Sequence, residues 1–394
     1  MPNFSNRVDL IAGEGAAAWD IHFRATKAAA AGEDVIVMSV GDPDFSTPQP
    51  IVQRAIDALK AGDTHYAEVQ GRETLRKAIA DDMNALGAPN YGPENIAVLA
   101  GTQNGLFASS LLLLEPGDEV IALDPMYVTY EAFLKVSGAH LVRVECDEAL
   151  GFRPDPDAIE QAITPKTQAI AFSNPNNPTG TVMTREELMA IGDIAKRHDL
   201  WVIADEVYAH LTFENEHVCM AGLPDMAERT VTVSSLSKSH AMTGWRVGWL
   251  AGPEALADHA DNLALCMLYG LPGFIQEAAT LALQEGRHFS EEMRDTYRHR
   301  RDVVLSELEH IERLKVLTPQ SGMFVLVDVS ATGMTALEFA RRLFASEGVS
   351  VLDGAAFGPN ASNYVRLSFT QSDEVLRKGC SRIAHFVDHL GHTA

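Results

Sequence analysis

From about residue 95 the chain repeats one pattern, a short apolar run rich in β-branched residues followed by a stretch with helical period. The runs are "NIAVLAG", "DEVIALDP", "AHLVRVE", "QAIAFSNP", "LWVIADEVY", "TVTVSS" and "RVGWLAG". They are apolar at successive positions, whereas a strand with one wet face alternates. Strands apolar on both faces and separated by helices build a mainly parallel sheet with helices on each side, an α/β architecture. In such sheets ligands bind at the carboxyl ends of the strands, so chemistry is expected just past each run.

Between Arg287 and Ile311, "RHFSEEMRDTYRHRRDVVLSELEHI" keeps helical period over many turns, and beyond it strands ("MFVLVDV", "YVRLSF") mix with helices. The break near residue 285 predicts a smaller α+β domain. The expected division is a large domain over 46–285 and a small one assembled from 1–45 and 286–394. A chain of 394 residues, 46% of them hydrophobic, is long enough for two such cores.

Charge and cysteine usage exclude some partners. Lys and Arg number 31 against 54 Asp and Glu, a net charge of -23, which disfavours nucleic acid and anionic membranes. No window approaches a membrane span and the N-terminus has no basic head before an apolar run, so a cytoplasmic protein is expected. Cys146, Cys219, Cys266 and Cys380 form no C-x-x-C pair, and neither a disulfide framework nor a zinc knuckle is suggested. His385, His389 and His392, near Asp388, have helical spacing, but no further ligand is in register; they read as the solvated end of the last helix, and no metal is expected.

Several strand ends carry chemistry. In "AGTQNGLF" a strand ends at Ala100, Gly101, Thr102 and Gln103 turn, and a helix begins; backbone N–H groups there can approach an anion at the positive end of the helix dipole. Any strand-to-helix turn looks similar. "AFSNPNNPTG" places two Asn-Pro steps after a buried strand, where Asn177 can donate to an oxygen of a bound ring. "LWVIADEVY" ends in Asp205-Glu206 with Tyr208 three residues past Asp205. A nucleotide-hydrolase metal site would require a G-x-x-x-x-G-K-[ST] loop, and the chain has no Gly-Lys step. What remains is a solvated acidic turn, or a carboxylate holding a pyridinium nitrogen protonated while a phenol meets the ring's other side. "TVTVSSLSKSHAMTGWRVGWLAG" sets Lys238 among serines in what reads as the loop past a strand, with Arg246 eight residues on. "LIAGEGAAAWD" matches a dinucleotide fingerprint at Gly13, Gly15 and Ala18, but the strand before it would be "VDLI", with Asp9 in its apolar face.

Taken in order, "SVGDPDFSTP", "THYAEVQGRETLR", "AGTQNGLF", "DPMYVTY", "NPNNPTG", "DEVY", "SSLSKSHAMTGWRVGW" and "YVRLSF" resemble the class I pyridoxal-phosphate aminotransferases of fold type I, over essentially the whole chain. The resemblance implies a mainly parallel seven-stranded sheet. It makes Lys238 the residue that carries pyridoxal phosphate as a Schiff base and shuttles the substrate proton. It assigns Ser235, Arg246 and the backbone of Gly101, Thr102 and Gln103 to the phosphate, and Tyr127 to stacking on the ring. Asn177 and Tyr208 fall to the phenolic oxygen, and Asp205 to the ring nitrogen. Arg366 would clamp the substrate α-carboxylate, helped by Gly41 and Asn177. Tyr66 would reach the phosphate of a neighbouring subunit, implying a homodimer with shared sites.

One departure narrows the substrate. Aspartate-type relatives carry a lysine where this chain has Gln103, and an amide cannot pair with a distal carboxylate. "GEGAAAWDIH" and "NLALCMLYG" resemble the arginine:pyruvate transaminases, which implies arginine as donor, pyruvate as acceptor, and Glu14 or Asp20 as partners of the guanidinium. Two alternatives of the same or another class are a β-lyase or decarboxylase, marked by turnover without a keto acid, and a nicotinamide (NAD) oxidoreductase, marked by NADH binding and a colourless protein. A noncatalytic regulator of this fold would carry an attached helix-turn-helix, for which no N-terminal extension is expected.

Overall fold

The computed structural model describes residues 2–5, 7–8 and 19–390. Helix α1 (Trp19–Ala30) leads to the short strand β1 (Ile36–Val37). The main sheet then forms from β2 (Ile96–Leu99), β3 (Glu119–Asp124), β4 (His140–Glu145), β5 (Thr167–Ser173), β6 (Trp201–Asp205), β7 (Thr230–Ser235) and β8 (Gly248–Ala251). It has seven strands in the order β2-β8-β7-β6-β5-β3-β4. Only β8 runs against its neighbours, antiparallel to β2 and to β7.

The doubly apolar runs are explained by where alternate residues go. Side chains alternate between the faces of a strand: Ala97 and Leu99 join a core with Leu256 and Ala260, while Ile96 and Val98 join another with Ile51, Leu75 and Ile79. On β3, Val120 and Ala122 face the first of these cores, and Ile121 and Leu123 a third with Ile159 and Ile191. The edge strand β4 has one neighbour and is the most exposed of the seven. The helix Arg185–Arg197 starts at a capping box in which the Thr184 hydroxyl accepts from Glu187 N–H and the Glu187 carboxylate accepts from Thr184 N–H.

A second sheet follows, built from β9 (Lys315–Leu317), β10 (Phe324–Asp328), β12 (Leu352–Asp353) and β13 (Tyr364–Ser368) in the antiparallel order β12-β13-β10-β9. Its core takes Tyr297, Val304 and Leu308 from the long helix Arg287–Leu308, whose span agrees with the periodicity read above. Strand β11 (Val349–Ser350) pairs with β1 in parallel. Met38 links the two small sheets, donating to Ser350 O and accepting from Ser368 N–H.

Strand ends set the site. Ser173 is in register with Asp205, Asp205 with Val233, and Gly248 with both Ser235 and Leu99. The carboxyl ends of β2, β5, β6 and β7 and the amino end of the reversed β8 therefore lie along one edge.

Candidate active site

A cavity of about 490 Å³ opens at that edge. Lys238, Asp205, Tyr208, Asn177, Tyr127, Thr102, Gln103, Ser235, Arg246, Arg366 and Gly41 all line it. Gly101 stands behind, its φ of +81° opening helix α2 (Thr102–Leu113); a Cβ there would run into the Arg246 guanidinium. Tyr66 is 85% exposed beside Tyr269, their rings 4.8 Å apart, and does not line this chain's own cavity.

The Ser-Lys-Ser cluster is not a loop: it forms a helical turn, Leu236–Ser239, capped by the Ser235 hydroxyl, which accepts from Ser237 N–H at 3.4 Å. The turn fixes Lys238, whose amine donates to Gly41 O at 2.7 Å. Loss of solvent, aided by Arg366 and Arg246 and opposed by Asp42, brings that amine down to about 8. Ser235 also accepts from the Thr102 hydroxyl at 2.9 Å, tying the lysine turn to the start of α2. Arg246, in the left-handed region at φ 54°, donates to Thr243 O and Ala100 O and remains exposed on the cavity side.

Asp205 is the opposite case. Burial pushes its carboxyl up to about 7, against the N–H of Val207 and the hydroxyl of Tyr130, which donate to it at 3.2 and 3.0 Å. Tyr208 is buried, its phenol held above the ordinary range by desolvation, and it accepts from the Asn177 amide at 3.4 Å. The Asn177 oxygen accepts from Arg366 at 2.9 Å. Arg366 is 3% exposed and lies between the rings of Phe324 and Phe357, 5.1 and 4.8 Å from their centroids. Its remaining contact is Ser39 O at 3.3 Å, and its buried Nε has no partner among the described residues.

Sequence reasoning missed one wall of the cavity. Trp19, His22 and Thr26 line it from α1, at spacings of three and four that a helix puts on one face. His22 bonds to the Ser39 hydroxyl at 3.0 Å, and burial followed by the Arg366 charge lowers its pKa. Asp20, one residue round from that face, points away from the cavity; it is 59% exposed and pairs with Arg24 at 3.8 Å. Glu14, and the Gly13, Gly15 and Ala18 of the fingerprint, lie outside the described residues. The sequence does contain a second acid at the cavity, Asp42. At the far end of the chain His385 bonds to Glu347 at 3.0 Å and stacks on His389, while His392 lies outside the described residues. Among the described residues no group of three His, Cys, Asp or Glu is placed to hold a metal, and no helix is long and apolar enough to cross a membrane.

A lysine amine, a sealed carboxylate and a guanidinium at the carboxyl edge of a mainly parallel seven-stranded sheet define a group-transfer site of the α/β class. The chain belongs to the aminotransferases of class I and II, a family matched over residues 33–383, and it is an aminotransferase. It is 51% identical, over 97% of both chains, to the arginine--pyruvate transaminase AruH of Pseudomonas aeruginosa, and 36% identical to the aspartate/prephenate aminotransferase of Thermus thermophilus, over 90% of this chain and 91% of that one. The solved structure of the aspartate aminotransferase from Thermus thermophilus with maleate superposes with a TM-score of 0.93 at 35% identity, covering 98% of this chain and 100% of the other. Class I aminotransferases generally work with pyridoxal phosphate.

Proposed function

We propose that the protein moves the α-amino group of L-arginine to pyruvate, with pyridoxal phosphate held on Lys238. The observation that carries the cofactor reading is the meeting in one cavity of the Lys238 amine, the buried Asp205 carboxylate and the Arg246 guanidinium beside the Gly101 turn. The donor set fits the group. Gly101 leaves a cradle that a Cβ would fill, with the Arg246 guanidinium and the Thr102 and Ser235 hydroxyls around it, as a phosphate requires. Among the described residues no cationic side chain is bonded to Asp205, and a protonated ring nitrogen would supply the missing cation.

Bound there, the cofactor supplies an electron sink and a carrier for the amino group. The protein does the rest. Arg366 binds the α-carboxylate with the fork whose Nε is unpartnered, and the two flanking rings fix its plane. Lys238, whose amine is held toward its neutral form by loss of solvent, would be the base for the proton on the substrate α-carbon. Asn177 and Tyr208 would hold the ring oxygen, Tyr127 would cover the ring, and Asp205 would keep the proton on its nitrogen.

The charge inventory of the cavity supports a donor without a distal carboxylate. Its cations are Lys238, Arg246 and Arg366, each with an assigned partner above. Gln103 is a neutral amide accepting from Thr129, and His22 is held toward its neutral form. Asp42 is the carboxylate left facing the space. The name of the Pseudomonas relative points the same way. A homodimer with shared sites accounts for Tyr66, an exposed aromatic outside its own cavity.

The test is a donor screen with pyruvate and with 2-oxoglutarate, reading the keto acid formed. Arginine with pyruvate should give the highest kcat/KM. A preference for aspartate would reject the substrate, and ammonia release without a keto acid would reject transamination by this site.

A further inference from the structure

Asp205 is 5% exposed and among the described residues no cation is bonded to its carboxylate, a setting in which a lone carboxyl takes up a proton. Two hydrogen bonds oppose that. One, from Val207 N–H, comes with the turn after β6. The other comes from Tyr130, 75 residues away in sequence, which opens the helix Tyr130–Lys135 and donates to Oδ2 at 3.0 Å. Glu206, next along the chain, works in the opposite direction.

Tyr130 is 1% exposed and packs edge-on against Phe133 at 4.9 Å. Burial, then the charge of Asp205, keep its phenol well above the ordinary range, so it stays a donor. Ser173, the last residue of β5, is the register partner of Asp205. The Ser173 oxygen accepts Asn177 N–H at 3.3 Å, and Asn177 carries the contacts to Tyr208 and Arg366. Val207 alone would leave Oδ2 without a donor.

We infer that Tyr130 is a positioning residue that keeps the Asp205 carboxylate charged and aimed at the cofactor ring nitrogen. This rests on the pyridoxal phosphate reading above. Its hydroxyl does not touch the reacting atoms in this role; Tyr130 acts on Asp205 by donating to the carboxylate. A phenol that only filled core volume would be replaceable by Phe with no effect on the carboxylate.

The experiment uses cofactor-free protein labelled with carboxyl-¹³C aspartate, the Asp205 signal being the one lost in Asp205→Asn. In wild type it should titrate near 7. In Tyr130→Phe it should titrate roughly one pH unit higher, and the dissociation constant for pyridoxal phosphate at pH 7 should rise roughly fivefold as the ionised fraction falls. Replacing Tyr130 by 3-fluorotyrosine, which keeps the ring and makes the hydroxyl a stronger donor, should move the Asp205 titration to lower pH and tighten pyridoxal phosphate binding, and it decides the matter if Tyr130→Phe does not fold. An unmoved Asp205 titration in the folded variants overturns the inference. Equal affinity of wild type and Asp205→Asn for pyridoxal phosphate would instead overturn the cofactor reading, whatever the titrations give.

Discussion

Replacing Arg366 by lysine keeps the charge and removes the fork, and so isolates what the fork does. The guanidinium sits between two aromatic rings with Nη1 on Asn177 and Nη2 on Ser39 O, and Nε buried and unpartnered. A carboxylate meeting this group can take two parallel N–H donors; an ammonium in its place offers a point charge. Losing one charged hydrogen bond costs about 1.5–3 kcal/mol, which lowers kcat/KM by roughly 10- to 150-fold. Because every amino acid donor shares the α-carboxylate, arginine and alanine should lose the same factor. The dissociation constant for pyridoxal phosphate should stay where it was, since Arg366 is assigned to the substrate alone. Steady-state kinetics with both donors, beside a cofactor titration, measures all three quantities. A loss for arginine only would place Arg366 on the substrate side chain, a parallel loss of cofactor affinity would place it on the phosphate, and a change under threefold would refute the clamp.

Three further outcomes are expected. Capture of pyridoxal phosphate by cofactor-free protein should speed up as pH rises toward about 8, where the Lys238 amine becomes neutral, and then level off; Asp42→Asn removes the charge that favours the ammonium, so the rise should move to lower pH, whereas a wild-type rise centred near the free-lysine value of about 10.4 would contradict the site. Gly101→Ala forces a Cβ against Arg246 at a positive φ, and should weaken pyridoxal phosphate binding while binding of phosphate-free pyridoxal changes little; equal losses would mean general damage. Mixed dimers of Lys238→Ala and Tyr66→Phe chains should regain activity, one of their two sites having both native residues, and demonstrated hybrids without recovery would argue against shared sites.

The parts of the site that were legible in the sequence lie within one short segment each. Lys238, Asp205 and Asn177 stand immediately after apolar runs, and the end of a buried strand is a place that sequence can mark. Tyr130 was in plain view inside "DPMYVTY", but its function depends on Asp205 from another strand, and no local pattern encodes that pairing. The face of α1 was misjudged for a related reason. One residue step turns a helix by about 100°, so the choice of Asp20 over Trp19 and His22 required knowing which side the sheets occupy. "RVGWLAG" is as apolar as its neighbours, and apolarity does not report strand direction, so the reversal of β8 was invisible.

That reversal has a consequence for how the site could change over time. The chain leaves the sheet on β7, makes the turn bearing Lys238, passes Arg246, and re-enters directly beside β7 on β8. A parallel strand in that slot would have required a crossover of a dozen residues or more, returning to the far edge before crossing the sheet again. As built, the two cations travel as a single hairpin cassette with a fixed stride between them. An insertion within the cassette would uncouple amine from guanidinium at once, whereas insertions in the loops bearing Asp205 or Asn177 could be absorbed one at a time. Variation among descendants of this chain should therefore accumulate around that hairpin and spare its length.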